Sequence, residues 1–299
     1  MTEKLHTSYE ELVAHKLMDT VALNSKFSIG VISHNDELKR RIDEGVLGRF
    51  FNEFAALYRG IYAGEPWNEY LICTNDDCGK KTGLPTEASL EKTDEEFNAN
   101  PEKNCCPDCK SPMKLFYEPT NIEQNFVRVF KEKIFASLLF SHNDISTEMQ
   151  MAGFSLGWET TVHDGYKDKM IIGAGDLGKQ VLTYDEYFSE FREHLGKTHT
   201  EHTPVFNSAE LAIAQKARDA RASYPLLNAV YTRGQQNLAV YPGQEIPVIG
   251  HTLSGSKAEA IFKKVGFTTG MQKPGSEEVR VYSTLPRLIA GTQKYISTK

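Results

Sequence analysis

The sequence predicts an α/β (α+β) protein with a small cysteine-bearing module inserted in it. Three observations predict this. Amphipathic helical stretches and short β-prone runs interleave along most of the 299 residues. Hydrophobic residues make up 40% and charged residues 25%, which gives enough apolar surface for a core and excludes a disordered chain, a coiled coil or a collagen-like repeat. All five cysteines fall between Cys73 and Cys109, in one polar segment.

The elements follow in order. Residues 1–26 read as a helix, with Leu5, Tyr9, Leu12, Val13, Leu17 and Val21 near helical spacing. Residues 27–33 (FSIGVIS) alternate and predict a strand. Residues 35–62 are one long amphipathic stretch that places Phe50, Phe51, Phe54, Leu57, Tyr58 and Tyr62 on a broad face, broken by Gly64-Glu65-Pro66-Trp67. Residues 71–117 lose that periodicity, are rich in Asn, Asp, Lys and Pro, and hold every cysteine. Residues 123–133 predict a helix, then 135–141 and 150–162 a hairpin turning at His142-Asn143-Asp144. Residues 164–203 read as a polar, mostly helical surface excursion. A short strand at 209–214 (AELAIA), a helix at 226–238, a strand at 246–252, a helix at 257–265 stopped by Gly266 and a strand at 279–283 complete the chain. This divides it into 1–70, an insertion at 71–117, and 118–299.

Lys and Arg total 34 against 40 Asp and Glu, a formal charge of -6, which argues against a surface that grips nucleic acid throughout and leaves a local basic patch open. No apolar run approaches the roughly 18 residues of a membrane span. The start, MTEKLHTSYEELVAHK, is charged and has no apolar signal core. The expected location is the cytoplasm, away from membranes. Clustered cysteines are also unlike the spread disulfide framework of a secreted fold.

The cysteines are arranged as Cys73-x4-Cys78 and Cys105-Cys106-x2-Cys109. Two close pairs of thiolates suit a tetrahedral Zn²⁺ with ligands near 2.3 Å. Cys73, Cys78, Cys106 and Cys109 are the candidate ligands, because Cys106-Pro-Asp-Cys109 has the two-residue knuckle spacing; Cys105 is the alternative to Cys106. Gly79 and Lys110, each following a cysteine, suit the turn that aims backbone N–H groups at sulfur. Four thiolates leave no open position, so the expected zinc is structural and folds a segment too polar to fold alone. Gly173-Ala-Gly175-Asp-Leu-Gly178 matches G-x-G-x-x-G after Met170-Ile-Ile, but the following KQVLTYDEYF lacks the small residues of a dinucleotide-binding helix, and the segment reads as a turn in the excursion.

Lys257-Ala-Glu-Ala-Ile-Phe-Lys-Lys-Val-Gly-Phe267 resembles the closing helix of the GCN5-related N-acetyltransferase (GNAT) superfamily, A-x-x-x-[YF]-x-K-x-G-F, through Ala258, Phe262, Lys264, Gly266 and Phe267. Arg218-Asp-Ala-Arg221-Ala-Ser223-Tyr-Pro-Leu226-Leu227 resembles its pyrophosphate loop, [QR]-x-x-G-x-[GA]-x-x-L-L, directly after the strand AELAIA. Residues 54–70 resemble its first helix and Pro-Trp exit, and Met151–Gly157 its third strand. The resemblance covers about 27–70 and 118–285. It implies a mixed, mostly antiparallel central sheet flanked by helices, with a zinc ribbon inserted after the first helix.

It also implies acyl transfer from acetyl-CoA, a co-substrate, to an amine by direct attack. A loop leaving a strand and entering a helix N-terminus offers unpaired N–H groups and a positive dipole end, which suits a diphosphate. Arg218 and Arg221 would add charge-assisted bonds to the phosphates, alongside Ala222 and Ser223 of the loop. Arg221 and Ser223 occupy the family's glycine or alanine places, so the Arg221 side chain either crowds the phosphates or clamps them. The strand Leu211, Ala212 and Ile213 would hold the carrier arm and offer an N–H to the thioester oxygen. Glu210, on that strand, is the candidate base, direct or through water; His251, ending IPVIGH, is the alternative. Many relatives protonate the thiolate with a tyrosine where this chain has Phe262. The acid is then Tyr224, Tyr282, water, or none, because a CoA thiolate is a tolerable leaving group.

The expected partner is an amine-bearing acceptor, small molecule or protein. Nucleic acid docking through the zinc ribbon stays open and is disfavoured by net charge. The rival expectations are a non-catalytic GNAT-fold binding module whose ribbon docks protein or nucleic acid, and a nucleotide-dependent enzyme using the Gly173 loop.

Overall fold

A computed structural model describes residues 7–33, 35–64, 67–84, 90–100, 103–132, 134–142, 148–167, 183–238, 245–272 and 278–297. The Gly173–Gly178 motif, the turn residues Asn143 and Asp144, and Glu65-Pro66 lie outside the described residues.

The predicted first helix is shorter than its apolar spacing suggests. Helix α1 spans Ser8–Ala14, starting on a capping box in which the Thr7 side chain accepts from Glu10 N–H. Lys16, at φ +54, then turns the chain into β1 (Met18–Ala22), which pairs antiparallel with β2 (Phe27–Ser33). Leu17 and Val21 therefore do not continue a helix: Val21 is an exposed residue on an edge strand. The long amphipathic stretch is likewise two helices, α2 (Asp36–Asp43), capped by the Asn35 side chain, and α3 (Gly48–Tyr62), separated by Gly45 at φ +69.

The inserted segment forms β3 (Leu71–Cys73), β4 (Lys81–Thr82), α4 (Leu90–Ala99) and β5 (Met113–Leu115). Its strands make a separate sheet in the order β4-β3-β5, with Leu71 opposite Leu115, and Phe116 N–H donates to Tyr70 O at 2.9 Å just outside it. It has a small core of its own, including Tyr70, Leu71, Cys73, Cys106, Met113 and Leu115.

The chain then returns through α5 (Pro119–Glu132), the hairpin β6 (Ile134–His142) and β7 (Met149–Thr161), α6 (Val162–Lys167) and α7 (Tyr184–Leu195). Next come β8 (Pro204–Ile213), a 3-10 turn at Gln215–Ala220, α8 (Ser223–Asn237), β9 (Pro247–Leu253) and α9 (Lys257–Val265), which ends at Gly266 with φ +112. Strands β10 (Thr268–Thr269) and β11 (Glu278–Thr284) and helix α10 (Leu285–Ile296) close it. Strand β8 begins five residues before the predicted AELAIA, because 204–208 already pair with β7, and 206–208 of them with β9 as well.

The main sheet has eight strands in the order β1-β2-β6-β7-β8-β9-β11-β10. Every described pairing in it is antiparallel except β8–β9, which is parallel. The expected mixed, mostly antiparallel sheet flanked by helices is therefore the observed fold. Helices α1, α2, α3 and α5 cover one face around Phe50, Phe54, Phe126, Phe130 and Phe154. Helices α8, α9 and α10 cover the other, around Leu227, Val230, Tyr231, Val265, Val281 and Leu288. Helix α7 packs Tyr187 and Phe191 on Val205, Ile249 and Tyr282. Phe206 and Ser208 contact Tyr231 of α8, so Val205, one residue before Phe206, faces away from α8. Helix α7 thus shares the α3 side of the sheet. No helix among the described residues is long and apolar enough to cross a membrane.

Candidate functional site

Two features of β8 set the geometry of the cleft. The first is a bulge. Leu156 of β7 pairs with Glu210 and Gly157 with Ser208, so Ala209 has no partner across that ladder. Side chains alternate with a period of two, so without the bulge Glu210 would share the α8 face with Phe206 and Ser208. The extra residue flips the phase. Glu210 and Ala212 now lie on the α3 face, opposite Leu156 and Phe154, while Leu211 and Ile213 pack on the α8 side.

The second is a splay. Strands β8 and β9 pair at three positions only, Phe206–Val248, Asn207–Ile249 and Ser208–Gly250. Strand β8 runs on to Ile213 and β9 to Leu253 without further pairing. The two strands part where Glu210 and His251 begin, leaving the β9-facing backbone of 209–213 outside any described ladder.

Glu210 is partly buried beneath the end of α3. Tyr62 donates a short hydrogen bond to its Oε2, and Tyr58 donates to Oε1 at 3.4 Å. The two phenols are four residues apart on α3, with ring centroids 4.5 Å from each other. Burial pushes the Glu210 carboxyl up to about 7, and the phenol bonds partly oppose the rise. Tyr117, from the end of the insertion, packs on Tyr58 at 5.3 Å and donates to Glu69 Oε2 at 2.5 Å. The insertion is also tied to α3 directly. Buried Arg59 donates to Tyr117 O at 3.0 Å and pairs with Asp94 of α4 at 2.9 Å, and Tyr70 donates to the same carboxylate at 3.1 Å.

The loop after β8 closes through the 3-10 turn to Arg221, which sits in the left-handed region at φ +50. That is the place where the resembling motif has glycine, and the backbone adopts the conformation glycine favours. Arg218 and Arg221 are exposed. Ala222 is fully buried against the core formed by Ile29, Leu139, Ala152, Ala217 and Leu226, so it can offer a ligand only backbone. Helix α8 then starts without a side-chain cap, leaving first-turn N–H groups for another acceptor.

The remaining predicted residues are dispersed. Tyr224 stacks on Tyr295 of α10 at 4.8 Å, and Phe262 is buried against Phe267 at 5.0 Å. Tyr282 donates to buried Glu190 at 2.9 Å and stacks on His194. His251 is exposed on β9, on the same sheet face as Glu210. Sequence reasoning missed Tyr58, Tyr62, Tyr117 and Glu69. The signal was available in Tyr58 and Tyr62: two phenols on an otherwise phenylalanine face each need a polar partner when buried.

In the insertion, the sulfurs of Cys73, Cys78, Cys106 and Cys109 all lie within 4.8 Å of one another. Two of the Sγ–Sγ separations are 3.4 Å (Cys73–Cys109) and 3.6 Å (Cys78–Cys106). Ligands 2.3 Å from a tetrahedral centre stand roughly 3.8 Å apart, so this donor set fits a zinc ion. Gly79 and Lys110 both have positive φ, +57 and +65, as knuckle turns require. Cys105 is exposed and bridges to Pro112, outside the cluster.

No protein-family profile and no curated protein matches the chain. Solved structures do. A structure of AtaTR bound with AcCoA is 14% identical, covering 57% of this chain and 80% of that one at a TM-score of 0.31. AtaT complexed with acetyl-methionyl-tRNAfMet is 13% identical, covering 57% and 85% at 0.32. An uncharacterized protein from Bacillus halodurans is 10% identical, covering 93% and 96% at 0.44. Likenesses of this size add nothing to the geometry above.

Proposed function

We propose that the protein is an acyl-CoA-dependent N-acyltransferase of the GNAT type, transferring acetyl to an amine by direct attack. The observation that carries this is Glu210, turned by the β8 bulge into the mouth of the β8–β9 splay. The splay fits a pantetheine arm, whose amides would pair with the open backbone of Leu211, Ala212 and Ile213. The uncapped start of α8, with Arg218 and Arg221, fits its diphosphate. Acetyl-CoA would supply the thioester.

In this reading the acceptor amine lies on the α3 face beside Glu210. A carboxylate poised near 7 is matched to taking a proton from an ammonium group near neutral pH. The amine nitrogen then forms a bond to the thioester carbonyl carbon and the C–S bond breaks. The proton lost from nitrogen balances the thiolate that leaves. Phe262 is apolar and buried, so no side chain on α9 replaces the family's tyrosine there, and the proton reaches sulfur through water. Tyr62 and Tyr58 hold the Glu210 oxygens and limit the rise of its pKa. Zinc in the four-cysteine cluster would be structural, and Arg59, Asp94 and Tyr117 would carry its order to α3.

Calorimetry with acetyl-CoA, followed by thiol release with a panel of amines, tests the reading. Binding tighter than about millimolar with turnover of some amine is expected; absence of binding at that level overturns it. Binding with no turnover of any amine would favour the rival of a non-catalytic module.

A further inference from the structure

Arg280 stands on β11 with its guanidinium 4.5 Å over the ring of Tyr187 from α7. Its Nη2 is buried and has no hydrogen-bond partner, and it makes no ion pair among the described residues. Tyr187 is fully buried, and its hydroxyl also lacks a partner among the described residues. Buried donors are nearly always satisfied, and leaving a charged one unmet is costly. The nearby carboxylate does not serve: Glu190 accepts from Tyr282 and from Met271 N–H. Arg280 Nη2 is thus a buried donor with no acceptor among the described residues.

Its position on the sheet says from which side an acceptor would approach. The Cα partner of Arg280 is His251, one residue past the last β8–β9 pair. Paired residues share a face, and Ile249, two before His251, packs under α7. Glu210, His251 and Arg280 therefore form a row across the α3–α7 face, on β8, β9 and β11 in turn. His251 is exposed, so the row is open at its middle. Adjacent strands are about 4.8 Å apart, which puts Arg280 about 10 Å or more from Glu210.

We propose that Arg280, with the Tyr187 hydroxyl, recognises a carboxylate on the acceptor, about 10 Å from the amine that reacts beside Glu210. This rests on the acyltransferase reading and names its substrate class: an amine with a remote single negative charge. One guanidinium and one phenol match a monoanion, and Glu190 next door opposes a second charge. An extended tripeptide spans about 10 Å, at 3.3–3.6 Å per residue, so its free N-terminus and C-terminal carboxylate fit the two ends.

The probes are di-, tri- and tetraglycine as free acids and as C-terminal amides. With acetyl-CoA, the wild type should acetylate the triglycine acid about 10- to 100-fold better than its amide in kcat/KM. R280Q should lose that preference while its rate on the amide changes little. Tyr187→Phe, which removes only an unmet hydroxyl, should lower the preference severalfold without loss of thermal stability. Equal rates on acid and amide in the wild type, or a preference that survives R280Q, overturn the proposal. N-acetyl-triglycine and its amide, titrated by NMR without any donor, read the subsite apart from the chemistry. Binding of the acid that R280Q abolishes supports the subsite even if no amine is acetylated, and no acid-specific binding overturns it.

Discussion

The cysteine module and the β8–β9 cleft are each assembled from side chains that are distant in sequence, but by different means. In the module, two short turns bring Cys73 to Cys78 and Cys106 to Cys109, and the pairing of β3 with β5 brings the turns together. The geometry is local, and a metal ion held by the four sulfurs would complete it. In the cleft, Glu210 meets Tyr58 and Tyr62 from across some 150 residues of chain only because a one-residue bulge sets the phase of β8. A site made by spacing is robust to its surroundings, whereas a site made by register depends on the whole sheet.

That contrast can be broken from either side. The largest effect should come from the metal. Structural zinc in four-cysteine sites contributes about 10–16 kcal/mol in small domains. Chelation or C106S should abolish stoichiometric zinc by elemental analysis and melt the module. Because Arg59 and Tyr117 couple it to α3, acetyl transfer should fall as well. Retained zinc in C106S would move the ligand to Cys105. Full activity after chelation would mean that the two regions are independent.

Next in size is E210Q, which should lower kcat/KM about 10²- to 10⁴-fold. The wild-type rate should rise with pH through about 7, as the carboxyl ionises. Stability gives a second readout. The folded value is raised above the ordinary 4.5, so the contribution of the protonated group is complete below 4.5 and is lost as pH rises to about 7. Relative to wild type, E210Q should therefore gain up to about 3 kcal/mol between pH 4 and pH 8 in denaturant melts.

Arg218→Ala should weaken acetyl-CoA about 10-fold by calorimetry, the worth of one charge-assisted bond at a partly screened site. An unchanged affinity would detach the loop from the cleft. The smallest effect should be that of Tyr62→Phe. Removing a donor that lowers the Glu210 pKa should move the pH–rate profile to higher pH and cost a fewfold in rate near neutrality.

What was legible in the sequence follows the same division. The four clustered cysteines, the Gly266 stop and the strand–helix order from 209 to 283 rest on spacing within a few residues; the structure gathers the cysteines, stops α9 at Gly266 and keeps that order, with β8 starting earlier and the short β10 added. The strand β1 was hidden because Leu17 and Val21 kept helical spacing, while the turn at Lys16 depends on a positive φ that no residue preference signals. The phenol pair above Glu210 was hidden for another reason. Tyr58 and Tyr62 count as apolar in any periodicity, and only the bulge at Ala209 shows which carboxylate they meet.

The pairing of Leu71 with Leu115, backed by the Phe116–Tyr70 bond, makes the insertion a cassette. Its entrance and exit lie about 5 Å apart, so a two-residue bridge could replace everything between them without reshaping the host sheet. Such a deletion would strand the Arg59 guanidinium, and a compensating apolar residue at 59 would be needed. A chain that tolerates the excision so repaired would mark the cassette as an accessory, free to be exchanged for another of different recognition.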